Sequence, residues 1–367
     1  MSQRPIAFFL PSLRGGGAER VTVNLVEGIL ERGRAVDLVL TRAEGPYLDQ
    51  VPHGARVIDL KSSRVLQSLI PLRRYLRQER PRAIVSTLHH ANLVALWAAW
   101  LAGNSIPVIV TVHSTFSISS RQPGKASRVF LPFLLRAFYP WAAGIVAVSR
   151  GAADDLASSS GVPRGSIEVI YNPVITPSLL AQAKQPPSHP WYAPGEPPVI
   201  LGVGRLTRTK DFPTLIRAFA ELRRRRPARL LILGEGEERE ALKQLAEELG
   251  VAHDMALPGF QENAAAFMAG ARVFALSSVG EALPTVLIEA LAVGARVIST
   301  DCPSGPREIL QDGRLGALVP VGDFGALAQA MRNALDRPNG SVPAESLAGF
   351  TRDAAVEHYL HLIEGTG

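Results

Sequence analysis

Cysteine is almost absent from this chain of 367 residues, which has a single one, Cys302. One thiol cannot form an internal disulfide, and a zinc cluster built on cysteine needs several, so both kinds of scaffold are excluded. A protein with so little cysteine suits a reducing compartment. We therefore expect the chain to work in the cytoplasm.

Long hydrophobic runs are absent as well. No segment approaches the roughly 20 uninterrupted apolar residues that a membrane-spanning helix requires. The N-terminal sequence MSQRPIAFFLPSLRGGG contains only a short apolar run and no small-residue cleavage site. It predicts a first β-strand rather than a secretory signal.

Several motifs that would indicate other functions are also missing. The first predicted strand is not followed by the Gly-x-Gly-x-x-Gly fingerprint of dinucleotide binding. The chain has no zinc finger, RNA-recognition signature or compact basic helix, so we do not expect nucleic acid as a partner. Its histidines are not accompanied by carboxylates or cysteines at ligand spacing, so we expect no metal site.

The composition that is present is typical of a soluble globular enzyme, with 47% hydrophobic and 20% charged residues. The length favours two hydrophobic cores over one. Residues 1–175 carry 20 Lys and Arg against 11 Asp and Glu, whereas the remainder carries 19 against 22. The basic first half indicates either a generally arginine-rich surface or contact with an anionic membrane or substrate.

Short apolar runs alternate with longer amphipathic stretches, a pattern that predicts βαβ units and parallel sheets. The first series of predicted strands is Ile6–Leu10, Val36–Leu40, Ala55–Leu60, Ala83–Leu88, Pro107–Val112, Gly144–Ser149 and Ile167–Ile170. The second series is Val199–Val203, Leu230–Leu233, Met255–Leu257, Val273–Leu276, Arg296–Ser299 and Gly316–Val319. Helices are predicted between strands, notably Ala18–Arg32 and Ala91–Leu101.

The two series imply an α/β protein with two doubly wound, Rossmann-like domains that face one another across a cleft. Between them, residues 172–198 hold eight prolines and little periodicity, which is typical of a linker. We predict a first domain over residues 1–172, a linker over 173–198 and a second domain over 199–344. Residues 345–367 form a closing helix, predicted over Glu345–Glu364, that could cross back to the first domain. Ligands should bind at the carboxyl ends of the strands.

The most informative segment is SSVGEALPTVLIE, which places Glu281 and Glu289 on either side of a predicted helix start. The preceding apolar run predicts a buried strand, and Pro284 suits a first helical turn because its missing N–H is harmless there. Free amides and the helix dipole at such a start attract anions. Carboxylates beside an anion site suit a ligand that carries both phosphates and hydroxyls, such as a sugar nucleotide.

Two further loops of the second domain carry candidate donor-binding groups. Arg205 offers a planar fork and Lys210 a point charge on one strand-end loop, which together suit a diphosphate, although such a pair is often only a solvated surface. Gly234 and Gly236 follow the next strand and could leave room for a flat base, or could simply form a turn.

The first domain has a glycine loop and strand-end histidines. Gly16 and Gly17 let the backbone approach a ligand closely at a helix start, or form a tight turn with no ligand. His113 ends a predicted strand, where donors to a ligand belong, but a lone histidine is often structural. His89 and His90 are weaker candidates for contact with an acceptor.

The segment Lys125–Trp141 mixes basic and large apolar residues. It is consistent with a surface that touches an anionic inner membrane leaflet. The alternative is a core-facing helix interrupted at Pro132.

With these motifs together, the chain resembles the retaining glycosyltransferases of family 4, which have the GT-B fold, over nearly its whole length. The resemblance depends on GGGAER, GVGRLTRTKDF, LILGEGEER, and two glutamates with seven residues between them, Glu281 and Glu289, followed by STDCPSGPREIL at 299–310. The last motif is most similar to members that build surface polysaccharides or lipid-linked oligosaccharides.

The resemblance implies that Arg205 and Lys210 hold the donor diphosphate. The main-chain groups that would also face the phosphates are those of Leu283, Thr285, Gly16 and Gly17. This pattern implies that the first domain binds the acceptor and the second the nucleotide sugar.

The remaining site residues follow from the same resemblance. Glu289 would bind the ribose hydroxyls, Glu281 the hydroxyls of the transferred sugar, and His113 matches the family's strand-end histidine near that sugar. One departure is Ala282, where the family usually has glycine. If that position needs a positive φ, alanine would be strained and donor geometry would differ.

The expected function is therefore metal-independent transfer of a hexose from a nucleotide diphosphate, expected to be UDP, to a hydroxyl of a saccharide or lipid-linked acceptor. Retention at the anomeric carbon is implied, and no cofactor is expected beyond the nucleotide sugar as co-substrate. No Asp-x-Asp motif stands at a strand end, which agrees with metal independence. The chain would be cytoplasmic, with peripheral contact to the inner membrane face as an option.

Four alternatives stay open at this stage. A nucleotide-sugar epimerase or a phosphorylase shares the architecture, and an epimerase would consume donor without an acceptor. A docking subunit without catalysis would not be stabilised by UDP or GDP. An NAD-dependent oxidoreductase would bind NAD, which the missing glycine fingerprint disfavours.

Overall fold

The protein is described by a computed structural model that covers residues 4–14, 16–103, 105–115, 127–337 and 342–365. The chain divides into two compact units, one of Met1–Val174 with Gly349–Gly367 and one of Ile175–Ala348. Each unit contains one parallel β-sheet covered by helices, so the predicted pair of doubly wound α/β units is confirmed.

The first unit holds a seven-stranded sheet with the order β3-β2-β1-β4-β5-β6-β7. Its strands are β1 (Ile6–Leu10), β2 (Val36–Leu40), β3 (Arg56–Asp59), β4 (Ala83–Thr87), β5 (Val108–Val112), β6 (Gly144–Ala147) and β7 (Ile167–Val169). Every residue of β1, β2, β4 and β5 is buried. Strands covered on both faces lack polar alternation, which explains why they read as continuous apolar runs.

The second unit holds a six-stranded sheet with the order β10-β9-β8-β11-β12-β13. Its strands are β8 (Val199–Val203), β9 (Arg229–Leu233), β10 (Met255–Gly259), β11 (Val273–Leu276), β12 (Val297–Thr300) and β13 (Ala317–Val319). All pairings in both sheets are parallel.

Helices lie between most consecutive strands, since parallel pairing requires a crossover connection. In the first unit they are α1 (Gly17–Glu31), α2 (Leu69–Glu79), α3 (His89–Leu101), α4 (Ser127–Phe138) and α5 (Arg150–Ser160). In the second they are α6 (Pro177–Gln182), α7 (Phe212–Arg223), α8 (Arg239–Glu248), α9 (Ala264–Gly270), α10 (Thr285–Ala292), α11 (Pro306–Ile309), α12 (Phe324–Leu335) and α13 (Ala344–Leu347). The last helix, α14 (Arg352–Gly365), belongs to the first unit. Within the described ranges, none of these helices has the length and apolarity needed to cross a membrane.

The end of the chain differs from the single predicted helix over Glu345–Glu364. It forms two helices, α13 and α14, because a 3-10 turn at Ala348–Phe350, which contains Gly349, interrupts the α-helical ladder. Arg352 at the start of α14 is 7% exposed and donates to Glu27 at 2.6 Å and to Glu31, both on α1. These ion pairs anchor α14 to the first unit.

The proline-rich segment 173–198 also contains regular structure. Pro177 opens α6, where proline is favoured because the first helical N–H needs no partner. Tyr192 donates a hydrogen bond to the carbonyl of Phe267 at 3.0 Å. Contacts place the chain from Ile175 onward in the second unit, so most of this segment packs as part of that unit.

Candidate active site

The order of each sheet reverses at one position, which in open α/β sheets is where ligands bind. In the second sheet the reversal lies between β8 and its neighbour β11, because β9 and β12 continue in opposite directions. The loops that leave these two strands contain residues 204–211 and 277–284. They carry four of the residues predicted to bind the donor, namely Arg205, Lys210, Glu281 and Leu283.

Lys210 and Glu281, which the sequence places 71 residues apart, are in direct contact. Lys210 Nζ donates to Glu281 Oε1 at 2.6 Å, and the side chains are 20% and 14% exposed. The hydroxyl of Ser278 donates to the same oxygen at 2.6 Å. Among the described residues Glu281 Oε2 has no donor, and Lys210 keeps two N–H groups for another partner. A phosphate on the lysine and a sugar hydroxyl on the glutamate are therefore compatible with the ion pair.

Two further hydrogen bonds tie these loops together. Ser277 donates to the main-chain oxygen of Lys210 at 2.8 Å, and the amide of Val279 donates to that of Thr209 at 2.9 Å. Ser277 and Ser278 are 1% and 0% exposed. These bonds fix the backbone at Thr209 and Lys210, so the lysine side chain needs little reordering when an anion binds.

Arg205 lies on the same loop and is exposed. No carboxylate or other acceptor contacts it within the described residues, whereas a carboxylate pairs with each of Arg208, Arg223, Arg226 and Arg229. An exposed guanidinium with no protein partner is available for an anion and offers it two parallel donors.

The glycines after β9 have a structural reason to be small. A side chain at Gly234, which has φ 134°, would stand 2.1 Å from the carbonyl oxygen of Gly204. One at Gly236 would stand 2.3 Å from that of Leu206. The amide of Leu206 also donates to Glu235 at 2.9 Å. The loops after β8 and β9 thus pack backbone against backbone, and room for a base beside these glycines stays a prediction.

Helix α10 begins at Thr285, with Pro284 as the extended residue before it rather than within its first turn. Glu289 is therefore just over one turn into the helix, and it is 4% exposed. The amides of Leu283 and Thr285 have no hydrogen-bond acceptor among the described residues. They remain available to an anion at the helix start.

Ala282 is not strained. It is not one of the described residues with positive φ, so the glycine usual in the family is not needed here for its conformational freedom. Its carbonyl oxygen accepts a hydrogen bond from the hydroxyl of Ser304 at 2.9 Å. The loop after β12 therefore supports the loop that carries Glu281.

Cys302, on the loop after β12, does not supply a nucleophile. Burial, and to a lesser extent the Glu281 carboxylate, raises the pKa of its thiol to about 12. A thiol with this pKa is protonated at neutral pH and unreactive. In the described ranges, no group of three or more His, Cys, Asp and Glu side chains is arranged to hold a metal ion.

The reversal in the first sheet lies between β1 and β4. Gly16 is the extended residue before α1 and Gly17 is the first residue of that helix. The three atoms nearest to a β-carbon at Gly16 would all belong to the flexible carboxylate of Glu19, and a β-carbon at Gly17 would meet nothing within 4 Å. Neither glycine needs a positive φ, so the fold does not explain why this loop lacks side chains.

This freedom gives a clean test of ligand approach. We expect Gly17→Ala to leave the free energy of unfolding unchanged or slightly higher, because alanine has the better helix propensity. If a ligand approaches the Gly17 backbone, the added methyl group costs about 1–3 kcal/mol of overlap and lowers kcat/KM roughly 10- to 100-fold. The matched control is Gly165→Ala, at another glycine with open space, which should leave kcat/KM unchanged. Equal kcat/KM for Gly17→Ala and wild type would remove Gly17 from the site.

His113 directly follows β5 and is half-buried. Its Nε2 lies 3.1 Å from the hydroxyl of Thr111. Burial, with a smaller effect from His89, lowers the pKa of His113 to about 4, so the ring is neutral at pH 7. His89 is the first residue of α3 and is buried, whereas His90 beside it is exposed. The sequence prediction began this helix two residues later.

The segment Lys125–Trp141 falls partly outside the described residues. Within it, the described backbone begins at Ser127 and the described side chains begin at Phe130. In α4, Phe130 and Phe133 are 67% and 69% exposed, while Leu135 is fully buried. Trp141, after the helix, is 45% exposed. The helix thus packs through one face and presents aromatic side chains on the other.

Ser277, Ser278 and Thr300 are site residues that sequence reasoning did not assign. Thr300 donates to the carbonyl oxygen of Ser278 at 2.6 Å and so joins β12 to the loop after β11. The available signal was the serine pair that directly follows a buried apolar strand. Small hydroxyl residues at such a strand end suit hydrogen bonds to neighbouring loops.

Comparison with known proteins agrees with the site and the fold. The profile described as "Glycosyl transferases group 1" matches residues 188–347, and that described as "Glycosyltransferase Family 4" matches residues 15–176. The chain is 30% identical over 344 residues to a Campylobacter jejuni protein, covering 90% of each. That protein is named N-acetylgalactosamine-N,N'-diacetylbacillosaminyl-diphospho-undecaprenol 4-alpha-N-acetylgalactosaminyltransferase. This chain is also 29% identical over 365 residues to the lipopolysaccharide core biosynthesis glycosyltransferase LpsE of Rhizobium meliloti, covering 95% of this chain and 96% of LpsE.

Solved structures give the same fold. A glycosyltransferase from Rickettsia africae superimposes with a TM-score of 0.80 at 17% identity, over 100% of this chain and 99% of that one. Anabaena HepE, in complex with UDP and glucose, superimposes with a TM-score of 0.73 at 19% identity, over 99% of this chain and 98% of that one. These likenesses confirm the predicted GT-B architecture.

Proposed function

This chain belongs to the family 4 glycosyltransferases, and from that premise we propose that it transfers a sugar from a UDP-sugar donor to a hydroxyl of a saccharide or lipid-linked acceptor. The anomeric configuration of the sugar is retained. The reaction uses no cofactor other than the nucleotide sugar, which is a substrate.

One observation carries the proposal. At the reversal of the second sheet, one loop carries the guanidinium of Arg205, which contacts no acceptor among the described residues, and the ammonium of Lys210, which Glu281 holds in place. That loop is tied to the loop that leads into α10, where the amides of Leu283 and Thr285 have no acceptor within the part of the chain that the structure describes. Two cations and two amides at one strand edge form a binding site for a pyrophosphate.

The same groups would perform the chemistry. The bond between the anomeric carbon and the phosphate oxygen breaks, while the bond to the acceptor oxygen forms on the same face of the sugar. The acceptor's proton passes to the departing phosphate oxygen. Negative charge grows on the diphosphate as it leaves, and Arg205, Lys210 and the α10 start stabilise it electrostatically. Because these groups already supply positive charge, the proposal requires no metal ion.

The carboxylates orient the donor. Lys210 and Ser278 both donate to Glu281 Oε1, so Oε2 can accept a hydroxyl of the transferred sugar. The buried Glu289 would accept the ribose hydroxyls. A carboxylate that accepts two hydroxyls makes charge-assisted hydrogen bonds, which are stronger than neutral ones.

A donor screen tests this function. Purified protein is mixed with UDP-, GDP- and ADP-sugars, with and without EDTA, and free nucleotide is measured together with thermal stabilisation by UDP, GDP and NAD. We expect stabilisation and turnover with UDP-sugars that survive EDTA. Stabilisation by NAD alone, loss of turnover with EDTA, or product that is only an isomer of the donor sugar would each contradict the proposal.

The acceptor is proposed by analogy. The Campylobacter jejuni relative is named for an acceptor on diphospho-undecaprenol, and LpsE for lipopolysaccharide core synthesis. We propose that this chain likewise extends a surface polysaccharide or lipid-linked oligosaccharide, at the cytoplasmic side of a membrane.

A surface of the first unit supports contact with that membrane. We define the basic aromatic face as Arg73, Arg74 and Arg77 on α2, with Trp100 and Trp141. Arg73 donates to the carbonyl of Leu101, next to Trp100 in the chain, at 3.0 Å, and the rings of Trp100 and Trp141 lie 6.1 Å apart, so Arg73 lies close to both tryptophans. Trp100 is 56% exposed. Arginines beside exposed tryptophans fit an anionic bilayer, with rings at the headgroups and cations on the phosphates.

Vesicle flotation checks this contact. We expect the protein to float with phosphatidylglycerol vesicles, and the triple change Arg73→Gln, Arg74→Gln, Arg77→Gln to weaken partitioning about 100-fold, from roughly 1 kcal/mol for each charge. Glutamine at Arg224, Arg225 and Arg226 in the second unit makes the same charge change and should leave flotation intact. Equal flotation of both triple variants would contradict the assignment of this face.

A further inference from the structure

Three loops at the carboxyl edge of the first sheet are bonded to one another, and we call them the loop platform. They follow β1, β2 and β3 and cover residues 11–14, 41–47 and 60–64. Leu13 donates its amide to the carbonyl of Glu44 at 2.9 Å, and its own carbonyl accepts from the amide of Tyr47 at 3.3 Å. The amide of Ser62 donates to the carbonyl of Thr41 at 2.9 Å, which joins the third loop to the second. The side chains of the platform are therefore presented from a backbone that is already ordered.

Gly45 and Asp59 make this close packing possible. Gly45 has φ 114°, and a β-carbon there would stand 2.2 Å from the carbonyl oxygen of Leu13. Asp59, the last residue of β3, accepts at one carboxylate oxygen from the amides of Ala43 at 3.2 Å and Lys61 at 2.9 Å. Lys61 has φ 50°, a left-handed conformation that a residue with a β-carbon adopts at a cost. The lysine is exposed, so packing in the core does not account for its presence there.

The loop platform carries more positive than negative charge. Arg14 Nη2 lies 2.5 Å from Glu44 Oε1, and Arg42 Nε lies 3.4 Å from Glu44 Oε2. Two guanidinium groups therefore meet at one carboxylate, and the two arginine side chains are 69% and 60% exposed. Counted with Asp59, the platform has four Arg and Lys residues against two carboxylates.

Shared ion pairs elsewhere in the described part of the first unit have the opposite balance. In each of them one arginine contacts two carboxylates, as Arg56 does with Asp37 and Glu79, and Arg352 with Glu27 and Glu31. At Glu44 two arginines share one carboxylate, so positive charge is left over. A guanidinium has five N–H donors, so a contact with Glu44 leaves donors for a further anion.

We propose that Arg14, Arg42 and Lys61 bind an acidic group of the acceptor, a carboxylate or a phosphate, so that the acceptor is an anionic saccharide. Strand β1 flanks the reversal of the first sheet, and ligands of open α/β sheets bind at that edge. Arginine offers either anion two parallel N–H groups, and lysine adds a point charge. A neutral saccharide would gain nothing from this surplus of charge. The inference rests on the proposed function only in naming the ligand as the acceptor.

Three matched sugars test the charge preference on the full chain. Glucose, glucuronate and glucose 6-phosphate share one ring and differ at carbon 6, which carries a hydroxyl, a carboxylate or a phosphate. Dissociation constants are measured by ligand-observed NMR, without UDP and again with saturating UDP. We expect at least one of the two anions to bind about tenfold more tightly than glucose in both series, and the tighter anion identifies the acidic group. Equal dissociation constants for the three sugars would overturn the proposal.

The double change Arg42→Gln, Lys61→Gln assigns the preference to the platform. It removes two cations and leaves Glu44 paired with Arg14, so we expect the melting temperature to be kept. The affinity for the preferred anion should fall about tenfold, whereas the affinity for glucose and the thermal stabilisation by UDP should not change. The matched control is Arg224→Gln, Arg225→Gln in the second unit, which makes the same charge change and should keep the preference. Equal losses in the two double variants would contradict the assignment, because the effect would then come from net charge.

The outcomes separate this inference from the proposed function. If UDP stabilises the protein but the three sugars bind equally, the acidic acceptor is wrong and the transferase assignment stands. If UDP has no effect but the anion preference still depends on Arg42 and Lys61, the anion site stands without the transferase. If the double variant loses flotation with phosphatidylglycerol vesicles but keeps the sugar preference, these cations contact the membrane and the proposal is overturned.

Discussion

Lys210→Ala should lower kcat by about 10²–10³, the loss seen when one electrostatic donor to a developing anion is removed. The lysine is held at the proposed diphosphate site by its 2.6 Å contact with Glu281 and by the Ser277 bond to its own carbonyl. Thermal stabilisation by UDP should fall with it. The change also leaves the partly buried Glu281 carboxylate with Ser278 as its remaining donor, so we expect the protein to lose about 1–3 kcal/mol of unfolding free energy.

A double-mutant cycle separates these two effects. If Lys210 acts only by neutralising Glu281, then Lys210→Ala will cost little kcat in a Glu281→Gln background. If it acts on the diphosphate, the loss in that background remains large. The matched control is Lys243→Ala, which breaks a lysine–glutamate pair of 2.8 Å that is 47% and 80% exposed. That variant should keep both kcat and stability.

The strands could be predicted because of where they lie. Strands β1 and β4, for example, are buried along their whole length. A strand buried on both faces consists mostly of apolar residues, so the bounds of these two strands could be predicted to within one residue. The apolar runs do not indicate the order of the strands within each sheet. The Lys210–Glu281 pair depends on β8 lying beside β11, so its existence follows only from the sheet.

The first unit shows why other parts of the site were not predicted. Leucine is a poor predictor of positive φ, so nothing in the sequence marks Leu88 as the strained residue before α3. The hydroxyl of Tyr139 is hydrogen-bonded to Asn92 and His89, which lie 47 and 50 positions away in the sequence. A chain of hydrogen bonds among distant residues leaves no periodic pattern, whereas the buried strand ends do.

Arg205→Gln should reduce kcat/KM for the donor by about 10²–10³ while leaving stability unchanged. The guanidinium is exposed and makes no contact with a carboxylate of the described chain, so its removal breaks nothing within the protein. We therefore expect the free energy of unfolding to stay within about 0.5 kcal/mol of wild type. Activity loss without stability loss is the signature of a residue whose partner is the substrate.

Neighbouring Arg208 gives the matched control, because its side chain is 93% exposed and lies 3.5 Å from Glu238. Arg208→Gln makes the same charge change three residues away and should keep the donor kinetics. Arg205→Lys should fall between wild type and Arg205→Gln, since lysine keeps the charge but loses the two parallel donors that suit a diphosphate. If Arg205→Gln and Arg208→Gln lowered kcat/KM equally, the effect would come from the general field of the loop. The assignment of a specific pyrophosphate contact to Arg205 would then be wrong. Lys210 and the amides at the start of α10 would have to hold the donor without Arg205.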